Sequence, residues 1–189
     1  MNVLVLGLVL FLATHTVPMI PSLRGALVAR LGDNGWKGVH TLLAAVGLGL
    51  IVWGFGRARA EGVPVWFVAD KGLRHATLLV LAPVFPLLFA AYLPGRIKAR
   101  VVHPMLTAVI LWAIGHLLFV GSAHAVTLFA AFAVWALADR LSLARRKPGP
   151  TELPPFGRND VVAVVLGLAA YGLFVWKAHL WLIGVSPLG

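Results

Sequence analysis

Long runs of apolar residues follow one another along the chain, and short stretches rich in Lys, Arg, Gly and Pro separate them. A helix crosses about 30 Å of hydrocarbon when it has roughly 20 apolar residues. The segments predicted to span a membrane are Asn2–Ser22, Lys37–Arg57, Gly72–Gly95, His103–Gly121, Ala123–Asp139 and Asp160–Val185. The fifth of these is the shortest. The pattern therefore predicts an all-α fold, a polytopic membrane bundle of about six transmembrane helices.

Composition supports a membrane protein rather than a soluble one. Of the 189 residues 60% are hydrophobic and 12% are charged, whereas soluble domains are nearer half and a quarter. The first segment lacks the basic start and the small-residue cleavage site of a signal peptide, so we expect it to be retained. No cysteine is present, which excludes disulfides, thiolate metal sites and cysteine nucleophiles.

The distribution of basic residues predicts how the chain crosses the membrane. Eleven Lys and Arg fall in the first, third and fifth connections between segments, and four fall on the opposite side. Because cytoplasmic loops carry the excess of Lys and Arg, we predict a multi-pass protein of the inner, cytoplasmic membrane with both termini outside. The net charge of +10 is interpreted as topology and attraction to anionic lipid. Nucleic acid is not an expected partner.

One polar stretch divides the last helix from the rest. Residues Leu143–Asn159 contain Arg145-Arg146-Lys147 and four prolines. Proline fixes φ and removes a backbone donor, so we predict a cytoplasmic linker at about residues 143–159. No internal repeat stands out, and residues 1–189 are predicted to form a single domain.

Histidine is the residue type left to provide chemistry. No predicted span has an acidic residue at its middle, and an ionisable residue inside hydrocarbon is a functional candidate. At about 1.5 Å per residue, the predicted cytoplasmic edge lies about 10 Å from His15, about 5 Å from His40 and about 20 Å from His116, while His103 lies at that edge. Three further histidines are expected to face headgroups or water: His75, His124 and His179.

Paired neutral imidazoles without thiolates or carboxylates suit a b-type haem better than zinc or a hard cation. The candidate cofactor-binding residues are His15, His116, His40 and His103. The estimated depths favour His15 paired with His40, and a hydrogen bond that packs two helices is an equal explanation of His15. Spacing alone leaves these alternatives open.

Several motifs resemble the NnrU family of membrane proteins. They are Phe11-Leu12-Ala13-Thr14-His15, the run from His103-Pro104 through Gly115-His116, Trp135-Ala136-Leu137-Ala138-Asp139-Arg140, and the ending Trp181–Pro187. The resemblance extends over nearly the whole chain.

The resemblance implies a function and a site. Bacterial members are associated with nitrite and nitric oxide reductase gene regions, and a related branch is the 15-cis-zeta-carotene isomerase, which binds haem b. In that branch the axial ligands match His15 and His116, which are therefore the expected metal ligands, and another histidine matches His103. The isomerases carry a cysteine where this sequence has Ala113.

Two functional hypotheses follow. The first is a haem-dependent isomerase or redox protein that acts on a membrane-dissolved apolar substrate. The second is a non-catalytic accessory protein that supports a membrane nitrite or nitric oxide reductase, with haem structural or absent. The sequence does not name the substrate, the redox partner or the oligomeric state.

Overall fold

The computed structural model describes residues 1–146 and 149–189, apart from the side chain of Lys71. The described chain is built from α-helices with one short 3-10 turn and one π-helical turn. The helices are α1 (Asn2–Thr16), α2 (Pro21–Ala60), α3 (Lys71–Leu81), α4 (Val84–Tyr92), α5 (Arg96–Val101), α6 (Pro104–Phe119), α7 (Ala123–Arg146), α8 (Arg158–Leu173) and α9 (His179–Ile183).

Within the described residues, five helical stretches are long and apolar enough to span a membrane. They are Asn2–Met19, Pro21–Ala60, Gly72–Tyr92, Ala123–Arg146 and Arg158–Ile183. The fourth predicted span corresponds to α6, an apolar helix of 16 residues and therefore about 24 Å long. Large apolar side chains lie on the outside, among them Val52 (66% exposed) and Trp181 (85% exposed), as expected of a surface that contacts lipid. The prediction of an all-α polytopic membrane bundle is confirmed.

Three predicted boundaries differ from the observed helices. The second segment was predicted to begin at Lys37, but α2 begins at Pro21 and bends at Gly32 (φ 72°, ψ 165°), a conformation that is essentially restricted to glycine. The fifth segment was expected to be the shortest and to end at Asp139, whereas α7 has 24 residues and ends at Arg146. The third segment is interrupted at Pro83, where α3 gives way to α4.

The chain divides into two compact units, which are described separately. The first comprises Met1–Val68 and Val120–Ser142, and the second comprises Ala69–Phe119 and Leu143–Gly189. Of the predicted linker at 143–159, Lys147 and Pro148 lie outside the described residues.

In the first unit, α1 and α2 approach each other so closely that glycine is required at the contact. A Cβ atom added to Gly47 would lie 2.8 Å from the backbone nitrogen of Phe11, and one added to Gly7 would lie 2.6 Å from the backbone nitrogen of Ile51. Small residues that allow close backbone approach are typical of helix packing in membranes. This contact fixes α1 against α2 along most of α1.

The second unit relies on polar contacts between distant parts of the chain. The buried carboxylate of Asp160, 2% exposed, accepts hydrogen bonds from the backbone N–H groups of Arg96 (3.1 Å), Ile97 (2.7 Å) and Gly157 (2.9 Å). One side chain thus satisfies donors at the first turns of both α5 and α8, which helix geometry alone leaves unpaired. On α8, the Tyr171 hydroxyl donates to the carbonyl of Leu78, at 2.6 Å.

Candidate functional site

The first unit surrounds His15 with aromatic rings from three helices. The ring centre of His15 lies 4.2 Å from that of Phe11, 5.1 Å from that of His40 and 6.0 Å from that of Trp135. Trp36, which is buried, contacts His40, with the ring centres 5.4 Å apart. We call these residues the His15 cluster: Phe11, His15, Trp36, His40 and Trp135.

Hydrogen bonds within the first unit determine how the His15 ring is oriented. Its Nδ1 lies 2.7 Å from the carbonyl oxygen of Phe11, one turn earlier. A carbonyl oxygen only accepts, so Nδ1 carries the hydrogen and the neutral ring has its lone pair on Nε2. Next to it, the Trp135 indole N–H donates to the Thr16 hydroxyl at 3.1 Å, which donates to the carbonyl of Leu12 at 2.7 Å. The ring that lies beside His15 is therefore itself held in place.

His15 and His40, the pair that the estimated depths favoured, have their rings in direct contact. Their planes meet at 68° with the centres 5.1 Å apart. Two imidazoles that bind one metal from opposite sides need centres about 6 Å apart, given metal–nitrogen bonds of about 2 Å and about 1 Å from nitrogen to ring centre. In this arrangement His40 packs against His15 and does not oppose it across an iron.

In the second unit, His116 is oriented in the same way as His15. Its Nδ1 lies 2.8 Å from the carbonyl oxygen of Trp112, and the two rings are 5.5 Å apart. The neighbouring Gly115 allows α3 to approach, because a Cβ there would lie 2.7 Å from a methyl carbon of Leu81.

His103 follows a strained turn between α5 and α6. Val102 has φ 65° and ψ −48°, and the His103 N–H donates to the carbonyl of Val101 at 2.7 Å. Together these values define a γ-turn, a rare conformation that is strained at a β-branched residue. Such strain is a feature of functional sites, and here it directs the chain into Pro104 and α6. Ala113, which stands where the isomerases have a cysteine, is fully buried on α6.

The three histidines that were expected to face headgroups or water behave differently from one another. For His124 the expectation is wrong: the side chain is 7% exposed and packs edge-on against Phe55 at 4.6 Å, because the start of α7 packs against α2. His75 is exposed, as expected. His179 is half-buried, and its Nδ1 donates to the carbonyl of Val185 at 2.7 Å.

The four candidate histidines divide evenly between the two units. His15 and His40 belong to the first unit, and His103 and His116 belong to the second. Among the residues that the structure describes, no group of three or more His, Cys, Asp or Glu side chains is placed to hold a metal ion.

Two residues with structural roles were missed by the sequence interpretation. Trp135 lies in one of the motifs that resemble the NnrU family, but its hydrogen-bond partner Thr16 is 119 residues away in sequence. Asp160 lies three residues after Gly157 at the start of a helix, which is a capping signal. That signal predicts its bond to Gly157 but not its bonds to Arg96 and Ile97.

Comparison with known proteins identifies the family. The family model described as NnrU protein matches residues 3–187. The chain belongs to the NnrU family. No curated protein and no solved structure was found to match it. The resemblance in the His15, His103–His116 and Trp135 motifs is thus confirmed at the level of family membership.

Proposed function

We propose that this NnrU family member is a membrane protein that binds haem b, which His15 and His116 would hold. One observation carries the proposal: both side chains donate Nδ1–H to a carbonyl one turn earlier, from Phe11 and from Trp112. Metal-binding histidines almost always donate their second ring N–H in this way, which fixes the ring and makes Nε2 the ligand. The donor set therefore fits haem iron.

The residues around His15 suit a flat apolar group. Phe11, Trp36 and Trp135 provide aromatic walls, and the Thr16 hydroxyl is already bonded to the Trp135 indole. Haem would supply redox chemistry or, at an open iron position, activation of a bound ligand. Within this proposal the side chains of the His15 cluster orient the ligand ring and exclude water.

Absorption spectroscopy tests haem binding directly. We expect the full-length protein, purified from haem-replete cells, to show a Soret band and about one haem per chain. The exposed His75 provides a matched control, so His75→Ala should retain the haem that His15→Ala and His116→Ala lose. Absence of a Soret band from the unmodified protein would refute the proposal.

The activity that we propose is a haem-dependent isomerase or redox reaction on an apolar molecule that is dissolved in the membrane. If one histidine dissociates on reduction, the ferrous protein is expected to be five-coordinate and to bind carbon monoxide. A ferrous protein that remains six-coordinate and low-spin in carbon monoxide would contradict this activity.

The second candidate function is a non-catalytic accessory role in a nitrite or nitric oxide reductase system, and one observation favours it. His15 and His40 lie among aromatic rings, and no described acidic side chain joins them as a third member of a group. A site without a carboxylate beside the ligand histidine suits electron transfer or a structural haem better than proton transfer assisted by a carboxylate. Co-purification of a membrane reductase with the tagged chain is the expected result, and its absence under mild solubilisation would count against this role.

A further inference from the structure

The short helix α5 lies where a membrane surface must be if its neighbours span a bilayer. It begins four residues after α4 ends at Tyr92, and it ends three residues before α6 begins at Pro104. At up to about 3.6 Å per residue, α5 stays within about 14 Å of the ends of both helices. The headgroup layer is about 5–8 Å thick on each side of the hydrocarbon, so α5 cannot extend far beyond it.

Packing holds α5 at that level. Ile97 and Val101 occupy one face of α5 and pack against the core cluster of Val84, Leu87 and Ala108, which belongs to α4 and α6. The carboxylate of Asp160 accepts hydrogen bonds from the first N–H groups of α5. Apolar contacts and a buried carboxylate thus fix the helix from two sides.

Two arginines share the face of α5 that is directed away from this core. Arg96 and Arg100 are four residues apart, which places them next to each other on a helix, and both are exposed. Like charges at this spacing repel each other. The arrangement is stabilised when an anion lies between the two guanidinium groups.

The protein does not supply that anion from the residues that the structure describes. The salt bridges found among them involve the N-terminus, Lys37 and Arg57, and none reaches Arg96 or Arg100. Asp160 is adjacent in space, but it is 2% exposed and its oxygens are occupied by three backbone N–H groups. An external anion at the level of the headgroups therefore has two cations to bind.

We propose that Arg96 and Arg100 of α5 form a binding site for the phosphate of an anionic phospholipid. Guanidinium groups bind phosphate oxygens through paired hydrogen bonds. The depth of α5 selects a lipid over a soluble acidic protein, since lipid phosphates are the anions concentrated in that layer. The site is independent of haem and of the proposed function.

Native mass spectrometry of the full-length protein tests this site. The protein is titrated with phosphatidylglycerol and, separately, with phosphatidylcholine, and an apparent Kd is obtained for each lipid. We expect preferential binding of phosphatidylglycerol. The doubly substituted R96Q/R100Q variant should bind it about twenty-five-fold more weakly, given roughly a fivefold effect for each basic residue at an anionic surface.

A matched variant separates a site from general charge. The control R24Q/R30Q removes two exposed arginines from α2 in the other unit and should leave phosphatidylglycerol binding unchanged. The R96K/R100K variant should recover part of the lost affinity, and circular dichroism should show that each variant keeps its helices. Equal losses in R96Q/R100Q and R24Q/R30Q would overturn the proposal, as would equal binding of both lipids by the unmodified protein.

A competition experiment tests whether the site binds a soluble anion instead of a lipid. Glycerol 3-phosphate carries the same phosphate without acyl chains, and polyglutamate represents an acidic protein segment. Neither is expected to displace phosphatidylglycerol at equal concentration. Displacement by glycerol 3-phosphate would assign the site to a soluble phosphate, and displacement by polyglutamate would assign it to an acidic partner, so either result would overturn the lipid assignment.

Discussion

Both units bring helices together at glycines, but the first unit adds aromatic packing around His15, whereas the second adds a buried carboxylate and a tyrosine hydroxyl. Gly47 allows the backbone of α1 to contact α2, and the His15 cluster packs ring against ring. In the second unit, Asp160 joins α5 to α8, and Tyr171 joins α8 to the carbonyl of Leu78. The two units therefore share close approach at glycine and differ in the side chains that add to it.

Each unit orients one candidate histidine through the same kind of hydrogen bond. His15 and His116 lie in different packing environments, yet each donates Nδ1–H to the carbonyl one turn earlier. His124, the second residue of α7, has no preceding helical turn in α7 to accept such a bond, and its buried Nδ1 has no hydrogen-bond partner among the described residues. The comparison teaches that ring orientation depends on position within a helix and less on the packing around it.

The largest effect is expected from Asp160→Ala in the second unit. The substitution removes the acceptor of three backbone N–H groups and leaves buried donors unpaired, which is more costly than losing one ordinary hydrogen bond. Thermal unfolding in detergent should show the greatest fall in midpoint of all variants proposed here. Asp160→Asn retains one acceptor oxygen, so its unfolding midpoint should lie between those of the unmodified protein and Asp160→Ala. An unfolding midpoint unchanged by Asp160→Ala would show that the hydrogen bonds of Asp160 do not stabilise the second unit.

Gly47→Leu tests the close approach of α1 and α2 in the first unit. A side chain there meets the backbone of Phe11, and overpacking of this kind costs about 1–3 kcal/mol. The free energy of unfolding, measured by chemical denaturation in detergent, should fall by that amount. The matched control is Gly49→Leu, because a Cβ on Gly49 meets no atom within 4 Å. Equal losses for both variants would show that helix approach is not the cause.

Trp135→Phe separates the hydrogen bond at the His15 cluster from the ring packing. The variant keeps an aromatic ring near His15 but loses the indole donor to Thr16, a bond worth about 1 kcal/mol. We expect a loss of stability of about that size by denaturation. Thr16→Val removes the same bond and also the donation from Thr16 to Leu12, so the loss in the double variant should be smaller than the sum of the two single losses, by about 1 kcal/mol. A fully additive double variant would show that the two residues act independently.

The smallest effect is expected at the exposed ion pair of Arg57 and Glu61 in the first unit. The two side chains are about half exposed and lie 3.0 Å apart. Exposed pairs of this kind contribute about 0–1 kcal/mol, so Glu61→Gln should change stability by less than about 0.5 kcal/mol. A change as large as that of Gly47→Leu would mean that surface charge, and not helix packing, stabilises this unit.

Hydrophobic runs predicted the class of fold because a bilayer imposes length and apolarity on each spanning helix. The runs did not reveal that α2 begins at Pro21, since Arg24, Arg30 and Asp33 interrupt the apolar pattern around the glycine bend. They also did not separate α3 from α4, because Pro83 interrupts an apolar stretch without ending it.

The site was predictable only in part. His15 and His116 were named from their motifs, and the estimated depths favoured His15 with His40, whose rings lie 5.1 Å apart. The neighbour Trp135 could not be predicted, because its contacts with Thr16 and His15 join helices far apart in sequence. The same holds for Asp160, whose bonds to Arg96 and Ile97 span more than 60 residues.

The central claim is that His15 and His116 are both ligands of one haem iron. Electron paramagnetic resonance of the ferric full-length protein tests it most directly. We predict a low-spin signal typical of two imidazole ligands, which is lost in both His15→Ala and His116→Ala and retained in His75→Ala. A low-spin signal that persists in either His15→Ala or His116→Ala would contradict the claim.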